Sequence, residues 1–426
     1  MRFAHLADLH LGYKQYGSEE RMLDFAQAFK NAVDFALSKD VDFIIIAGDV
    51  FHKKSEMDPV TLAQATKVLE RVNVPVVVVE GNHDASYFRE RFTWLDYLAA
   101  EGYVINLKPS FEEGIVLEEW NGVSGAYFDV GEARIYGLKY LGALTEKVLA
   151  EYLPRVRKEG FTIFASHFGV EKYMDIYGCI SSEILHRYRS KIDYVALGHI
   201  HMKYVEDDFI FNPGSLESCD ARESVFEKGI FIVEFDGELR YSHEKGFYKP
   251  RTFRFLEYEF KSADLLDFKN FLMKNRGKGG EVVILKVKYR AKGFVDEEKI
   301  EKLAKEVLSP LVLKVEWIPE ISGYDVKISS YSNRFEIEKG VLRELLSKHG
   351  YEDLTEEVLR LKDLLAERKI EDVFNLIDDL LKIGEEESKE IERSFEEAER
   401  EAEEEEVWDW RKAYDQRSLP RKRKKL

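Results

Sequence analysis

The chain has 426 residues, 45% of them hydrophobic and 34% charged, with a formal net charge of −17. Such a length suits roughly two to four domains and excludes one small module, while the composition excludes a chain disordered throughout. Two cysteines, Cys179 and Cys219, exclude a disulfide framework and lie too far apart for a zinc knuckle.

No run approaches the ~18 apolar residues of a membrane span, and the opening Met-Arg-Phe-Ala-His has no signal-peptide pattern, so the expectation is a soluble, cytoplasmic protein. The charge is unevenly spread. Residues 385–406 carry thirteen acidic and three basic side chains, and residues 411–426 carry eight basic and one acidic, ending in Arg421–Lys425. The rest of the chain is acidic and by composition gives no sign of binding DNA.

In chain order, an apolar run at Arg2–Ala7 leads to helical spacing over Glu19–Ser38, with Phe25, Phe29, Val33 and Leu37 on one face. Phe43–Ala47, a helix at Pro59–Arg71 and Val74–Val79 complete a β-α-β-α-β series, and a further helix is expected at Phe88–Ala100. More strands are predicted at Ala133–Tyr136, Phe161–Ala165, Tyr194–Leu197, Phe209–Phe211 and Gly229–Phe235. The expectation over residues 1–249 is an α/β domain with a mixed, helix-flanked sheet.

After Lys249-Pro250 the rhythm changes to strand Phe253–Phe260, helix Ala263–Lys274, strand Val282–Tyr289, helix Asp296–Val307 and strand Leu311–Trp317. That predicts a small α+β domain over 250–318, with a linker over 319–335. Residues 336–384 carry only helical leucine spacing, including Leu361, Leu364 and Leu365, and have too little mass to bury that stripe alone. An acidic then basic tail occupies 385–426.

The chemistry lies at the carboxyl ends of the apolar runs. Asp8-Leu9-His10, Gly48-Asp49, Gly81-Asn82-His83-Asp84, Ser166-His167 and Gly198-His199-Ile200-His201 come after five predicted strands in turn. Loops at the carboxyl ends of parallel strands gather on one edge of an α/β sheet, so these groups should converge. Five of the ten histidines fall in these clusters and a sixth, His52, lies just after Asp49. The i, i+2 pairs Asp8/His10 and His199/His201 would face the same way along an extended segment. Oxygen and imidazole ligands without a thiolate suit Mn²⁺, Fe²⁺ or Zn²⁺. Seven candidates (Asp8, His10, Asp49, Asn82, His167, His199 and His201) are too many for one ion with an open position and enough for two, with Asp49 as the bridge.

This series resembles the signature of the calcineurin-like metallophosphoesterases over residues 1 to about 220, and Asn212-Pro213-Gly214-Ser215 fits it as well. A narrower likeness, carried by His5–Gly12, Ala47–His52 and Pro213–Glu217, is to the archaeal Mre-eleven/SbcD nucleases of double-strand-break repair. The resemblance implies a mixed β-sheet sandwich with flanking helices, a small α+β capping domain that binds DNA, and a C-terminal helical arm. It implies two Mn²⁺ per subunit. Asp8, His10, Asp49 and His201 would hold one, and Asp49, Asn82, His167 and His199 the other. His83 would contact the scissile phosphate or protonate the leaving oxygen, Asp84 would orient its ring, and His52 would position the phosphate.

The activity so implied is 3′–5′ exonuclease on duplex DNA and endonuclease on single strands, acting on broken DNA ends and associated with the nucleoid. Implied partners are DNA ends, a Rad-fifty/SbcC-type ABC ATPase docking on residues 336–384, and a second copy of the chain. The dimer would form through helices near 59–71 and 88–100, with Trp94, Leu95 and Leu98 as candidates. Lys14, Lys53, Lys54, Arg89 and Arg91 stand near the strand-end loops as possible phosphate contacts. Two other readings stay open: a small-substrate phosphodiesterase or phosphatase of the same fold, and a DNA-end-tethering scaffold with secondary nuclease activity.

Overall fold

The computed structural model describes residues 1–85, 92–111, 114–174, 176, 178–260, 265–290, 296–320 and 352–366, with a few single positions between 339 and 376. The chain divides into two units, Met1–Ser322 and Gly323–Leu426.

The first unit begins with the parallel strands β1 (Arg2–Leu6), β2 (Phe43–Ala47), β3 (Val76–Val79) and β4 (Ile105–Asn106). Next come β5 (Tyr127–Val130), β6 (Ala133–Leu138), β7 (Phe161–Ser166), the short pair β8 (Gly169–Val170) and β9 (Cys179–Ile180), then β10 (Tyr194–Ala196), β11 (Tyr204–Glu206) and β12 (Ile210–Asn212). The hairpin β13 (Ile230–Phe235) and β14 (Leu239–Glu244) returns to the first strands, β13 lying antiparallel to β1. Two six-stranded sheets result, ordered β14-β13-β1-β2-β3-β4 and β11-β12-β10-β7-β6-β5.

Residues at period two sort between cores. Phe3, Phe43, Ile45, Val77 and Val79 from the first sheet meet Ile135, Ile163, Ala165, Tyr194 and Ala196 from the second in one fully buried layer. The alternate residues Ala4, Leu6, Ile44, Ile46, Val76 and Val78 face α1 (Glu19–Ser38), α2 (Pro59–Leu69) and α3 (Trp94–Ala100). Phe164 and Val195 face α4 (Thr145–Tyr152) and α5 (Glu183–His186). The fold is thus an α/β sandwich of two mixed sheets. Strands covered on both faces read as unbroken apolar runs, which is why Phe43–Ala47 shows no alternation.

Local signals set the helix ends. The Asp58 side chain accepts from the Thr61 amide and Pro59 occupies the first turn, where no donor is needed. The helix expected from Phe88 begins instead at Trp94, because Thr93 and Asp96 form a reciprocal capping box. Leu95 and Leu98 are fully buried in the core of their own chain, which removes them as dimer contacts, whereas Phe92 and Val60 remain exposed.

Residues 253–320 form β15 (Phe253–Phe260), α6 (Leu265–Lys274), β16 (Val282–Arg290), α7 (Glu297–Leu308) and β17 (Val312–Glu320), a three-stranded parallel sheet in that order. Phe268, Leu272, Ile300 and Leu308 cover one face of it. The linker expected from 319 is corrected, since β17 pairs residue by residue as far as Glu320 with Arg290. Pro319 is tolerated there because β17 is an edge strand, whose outer side needs no amide donor. Arg251 ties this sheet back, donating to both carboxylate oxygens of Asp24 at 2.8 and 2.5 Å.

In the second unit, α8 (Thr355–Ala366) follows a tight turn at Glu352–Leu354, and Lys339 pairs with Glu356. Leu361 and Leu364 are half-buried, while Phe374, Ile377 and the side chain of Leu365 lie outside the described residues, as do Arg89, Arg91 and the whole of 385–426.

Candidate metal centre

The loops after β1, β2 and β3 from one sheet meet those after β7 and β10 from the other. Main-chain bonds stitch them together: the Asp8 amide donates to the Gly48 carbonyl at 3.1 Å and the His10 amide to the Asp49 carbonyl at 3.0 Å. Asp8 Oδ1 accepts the His199 amide at 3.0 Å, joining the two sheets. Convergence does not come from an extended pleat as the i, i+2 spacing implied. Asp8, His10, Asp49 and His199 have φ of 52°, 47°, 50° and 80°, the left-handed region that costs a non-glycine residue energy and that functional sites retain. Close packing enforces the same turn, since a Cβ at Gly48 would lie 2.3 Å from His167 Nδ1 and one at Gly81 would lie 2.1 Å from Asp49 Oδ1.

The seven candidate ligands come together as two adjoining groups. In the first, His10 Nε2 lies 3.0 Å from His201 Nε2 and 3.8 Å from Asp49 Oδ2, and Asp8 shares a cluster with His10 and Asp49. In the second, His167 Nε2 lies 3.3 Å from the same Asp49 Oδ2 and 3.1 Å from Asn82 Oδ1, which is 3.1 Å from His199 Nδ1. Asp49 Oδ2 is therefore common to both half-sites. A cleft of about 480 Å³ opens over them, walled by Asp49, Asn82, His83, His199, His201 and Glu223.

Two of the histidines are held in a fixed tautomer by their outer nitrogens. His167 Nδ1 donates to the Ala47 carbonyl at 2.8 Å, and His201 Nδ1 donates to Glu223 Oε1 at 2.9 Å, so each presents Nε2 to the site. Glu223 was not foreseen from the sequence. It stands on a short turn, Ala221–Val225, with no strand before it to mark it, and only folding brings it to His201.

The electrostatics call for positive charge in each half. Burial alone would lower His167, but Asp49 and Asp8 lift it to about 9. Burial would likewise lower His201, and Cys219, Glu223 and Asp8 raise it well above its ordinary value. Burial holds His10 low despite Asp49. Asp49 stays ionised well below the usual carboxylate range because His167 and His10 outweigh its burial. Asp8 Oδ2 is fully buried with no hydrogen-bond partner. An orphaned carboxylate oxygen, two imidazole nitrogens facing each other, and a proton retained in each half are what a pair of divalent cations would satisfy. The residues present fit two such ions.

Asp84, next to His83, takes a part that differs from expectation. The His83 amide donates to Asp49 Oδ1 at 2.9 Å, and its ring Nδ1 is bonded to the His52 carbonyl, which leaves Nε2 for other work. Asp84 does not orient that ring. Both of its oxygens accept main-chain amides, those of Val50, Phe51 and Gly81 at 2.9–3.1 Å, so it shapes the loops that carry Asp49 and Asn82. Burial and the charge of Asp49 lift its carboxyl to about 7. His52 stacks on Tyr13, ring centres 3.7 Å apart, and its Nδ1 lies 3.4 Å from His10 Nδ1. Lys14 is engaged by Glu19 and Asp58, and Lys53 by Glu56, so neither is a ready phosphate contact; Lys54 opens the turn Lys54–Glu56.

The chain is similar to known proteins over most of its length. Residues 1–203 match the calcineurin-like phosphoesterase family. The chain is 31% identical over 394 residues to the DNA double-strand break repair protein Mre11 of Archaeoglobus fulgidus, across 88% of this chain and 84% of that one. It is 25% identical over 392 residues to the protein of the same name from Methanocaldococcus jannaschii, across 85% and 99% of the two chains. Among solved structures, a dimetal phosphatase from Danio rerio aligns with a TM-score of 0.36 and 13% identity, over 57% of this chain and 95% of that one.

Proposed function

The chain belongs to the Mre11 family of calcineurin-like phosphoesterases, and from that premise we propose that it is a Mn²⁺-dependent DNA nuclease that processes double-strand-break ends. The observation that carries the reading is the sharing of Asp49 Oδ2 between two half-sites of imidazole and oxygen ligands. Asp8, His10, Asp49 and His201 would hold one Mn²⁺, and Asp49, Asn82, His167 and His199 the other. Bound there, two cations neutralise an anionic phosphodiester and make a strong nucleophile available near neutral pH.

The chain's own residues do the rest. His83, fixed through Nδ1 by the His52 carbonyl, turns Nε2 to the scissile phosphate and delivers a proton to the departing 3′ oxygen. His52, braced on Tyr13, helps seat the phosphate. Asp84 acts at one remove by setting the Val50–Phe51 and Gly81 amides. The reading extends to 3′–5′ exonuclease action on duplex DNA and endonuclease action on single strands, with the 253–320 sheet guiding DNA as a capping domain.

The leucine-bearing arm around α8 is the proposed dock for a Rad-fifty/SbcC-type ABC ATPase, and the exposed Val60 on α2 and Phe92 just before α3 are the proposed dimer contacts. Among the described residues no helix is long and apolar enough to cross a membrane.

The test is a comparison of labelled single- and double-stranded DNA with para-nitrophenyl phosphodiesters, each with Mn²⁺ or Mg²⁺. DNA cleavage that needs Mn²⁺ and disappears in Asp49→Asn supports the nuclease. Turnover confined to the small diesters would make the protein a phosphodiesterase. DNA binding without cleavage would make it a scaffold. Deleting residues 336–426 should abolish capture of the ATPase in a pull-down and spare nuclease activity.

A further inference from the structure

The first half-site contains a group that oxygen-and-imidazole chemistry does not account for. Cys219, a free cysteine, brings its sulfur within 4.8 Å of the ligating nitrogens of both His10 and His201. Its backbone is clamped on both sides: the amide donates to Glu223 Oε2 at 2.9 Å, and the carbonyl accepts from Gln15 Nε2 at 2.8 Å. Gln15 is held in turn by the fully buried Arg21, whose guanidinium also donates to Glu217 at 3.0 Å and to the Ser218 carbonyl at 3.1 Å. Glu223 thus places two neighbours at once, His201 through Oε1 and Cys219 through Oε2. Independently of the thiol, the buried and unpartnered Asp8 Oδ2 shows that this half-site is built for a cation.

A thiol changes which cation that is. Oxygen and imidazole ligands suit manganese, whereas thiolate selects softer or borderline ions such as Zn²⁺ and Co²⁺. His10, His201 and Cys219 bring two imidazoles and a thiolate within reach of one ion, nitrogen and sulfur donors that zinc takes readily. We propose that Cys219 is a ligand-in-waiting of the first half-site, which makes that half a thiolate-bearing trap for zinc-class cations in competition with Mn²⁺. On capture the thiol gives up its proton to solvent and sulfur takes a coordination position. The inference rests on the two-cation reading for its location and adds a ligand that this reading does not need.

Cobalt is the probe, because its visible absorption reports that the ion is bound and a near-ultraviolet thiolate-to-cobalt charge-transfer band reports sulfur ligation. Co²⁺ titrated into the full-length, metal-free protein should produce both. Cys179→Ser should keep the charge-transfer band and Cys219→Ser should lose it while still binding cobalt. In competition titrations Cys219→Ser should shift the preference for Zn²⁺ over Mn²⁺ towards Mn²⁺ by roughly 10- to 100-fold, the scale on which single groups around a metal alter its affinity. Cobalt bound without the band, or a band that survives in Cys219→Ser, overturns the proposal and leaves the two-cation reading intact. Failure of wild-type protein to bind any of the three metals would remove that reading itself, and this inference with it.

Discussion

The two halves of the centre use similar ligands but are held by different parts of the chain. In the half formed by Asn82, His167 and His199, the deepest histidine is oriented by a main-chain carbonyl, that of Ala47 at the end of β2, against a glycine that admits no side chain. In the half formed by His10 and His201, the outer histidine depends on Glu223, a side chain from a turn outside both sheets. A carbonyl at a strand end cannot be mutated away, whereas a carboxylate on a turn is one substitution from loss. Both halves draw their ligands from the sandwich, but the first also depends on a side chain from outside both sheets. It is also the half beside the Cys219 thiol.

The strongest way to break that contrast is to remove what the halves share. Asp49→Asn deprives both of their common oxygen, and Mn²⁺-dependent cleavage should fall by more than the ~100-fold that a supporting group alone can cost. Circular dichroism should show the fold retained, because Asp49 lies beyond the end of β2. Wild-type rates would end the two-cation assignment. His83→Ala should differ in kind: bound Mn²⁺ measured by atomic absorption stays at the wild-type level, and cleavage drops by roughly 10² to 10⁴. Loss of metal in that variant would make His83 a ligand.

Glu223→Gln sharpens the contrast between halves. An amide can still accept from His201 Nδ1 but without charge, so metal affinity at the first half should weaken by about 10- to 100-fold and at the second should change little. Two-step Mn²⁺ binding curves by calorimetry report this directly. If both steps weaken together, the halves are one coupled site and the distinction between them fails.

Much of the centre could be read from the sequence because strand ends are legible. Runs such as Phe43–Ala47 and Phe161–Ala165 are buried on both faces and mostly apolar, so they announce themselves and point to the polar residues next in the chain. The rest of the centre depends on contacts between distant segments. Glu223 and Cys219 follow no periodic pattern and matter only because the Pro213–Ser218 loop folds back on His201. Division into two sheets came only with the family resemblance, since an unbroken apolar run does not say which neighbour covers which face. The strands β4, β8 and β9, two residues each, carry too few side chains to show a period. The family resemblance made Asp84 a partner of the His83 ring, yet three main-chain amides claim it.

The smallest expected effect at neutral pH concerns the joint beneath both halves. His5, on β1 of the first sheet, reaches across to the second, with Nδ1 2.9 Å from the Tyr194 hydroxyl and Nε2 3.1 Å from the Leu197 carbonyl. A neutral ring satisfies both, donating from Nε2 and accepting at Nδ1, and burial holds its pKa down at about 3 against an ordinary value of 6.5. Between those values the unfolded chain binds a proton that the folded chain refuses, so this contribution to stability is intact above pH 6.5 and is lost as pH falls towards 3. The loss approaches about 1.4 kcal/mol per pH unit well inside the window and stays under about 1 kcal/mol at pH 6. His5→Gln keeps a donor and an acceptor but cannot titrate. Urea unfolding of the metal-free proteins should therefore give a difference between wild type and variant that is flat above about pH 7 and shifts against wild type as pH is lowered to about 4. A difference independent of pH across that range would mean that His5 takes up its proton in the folded chain as readily as in the unfolded one, and that burial does not hold the ring neutral.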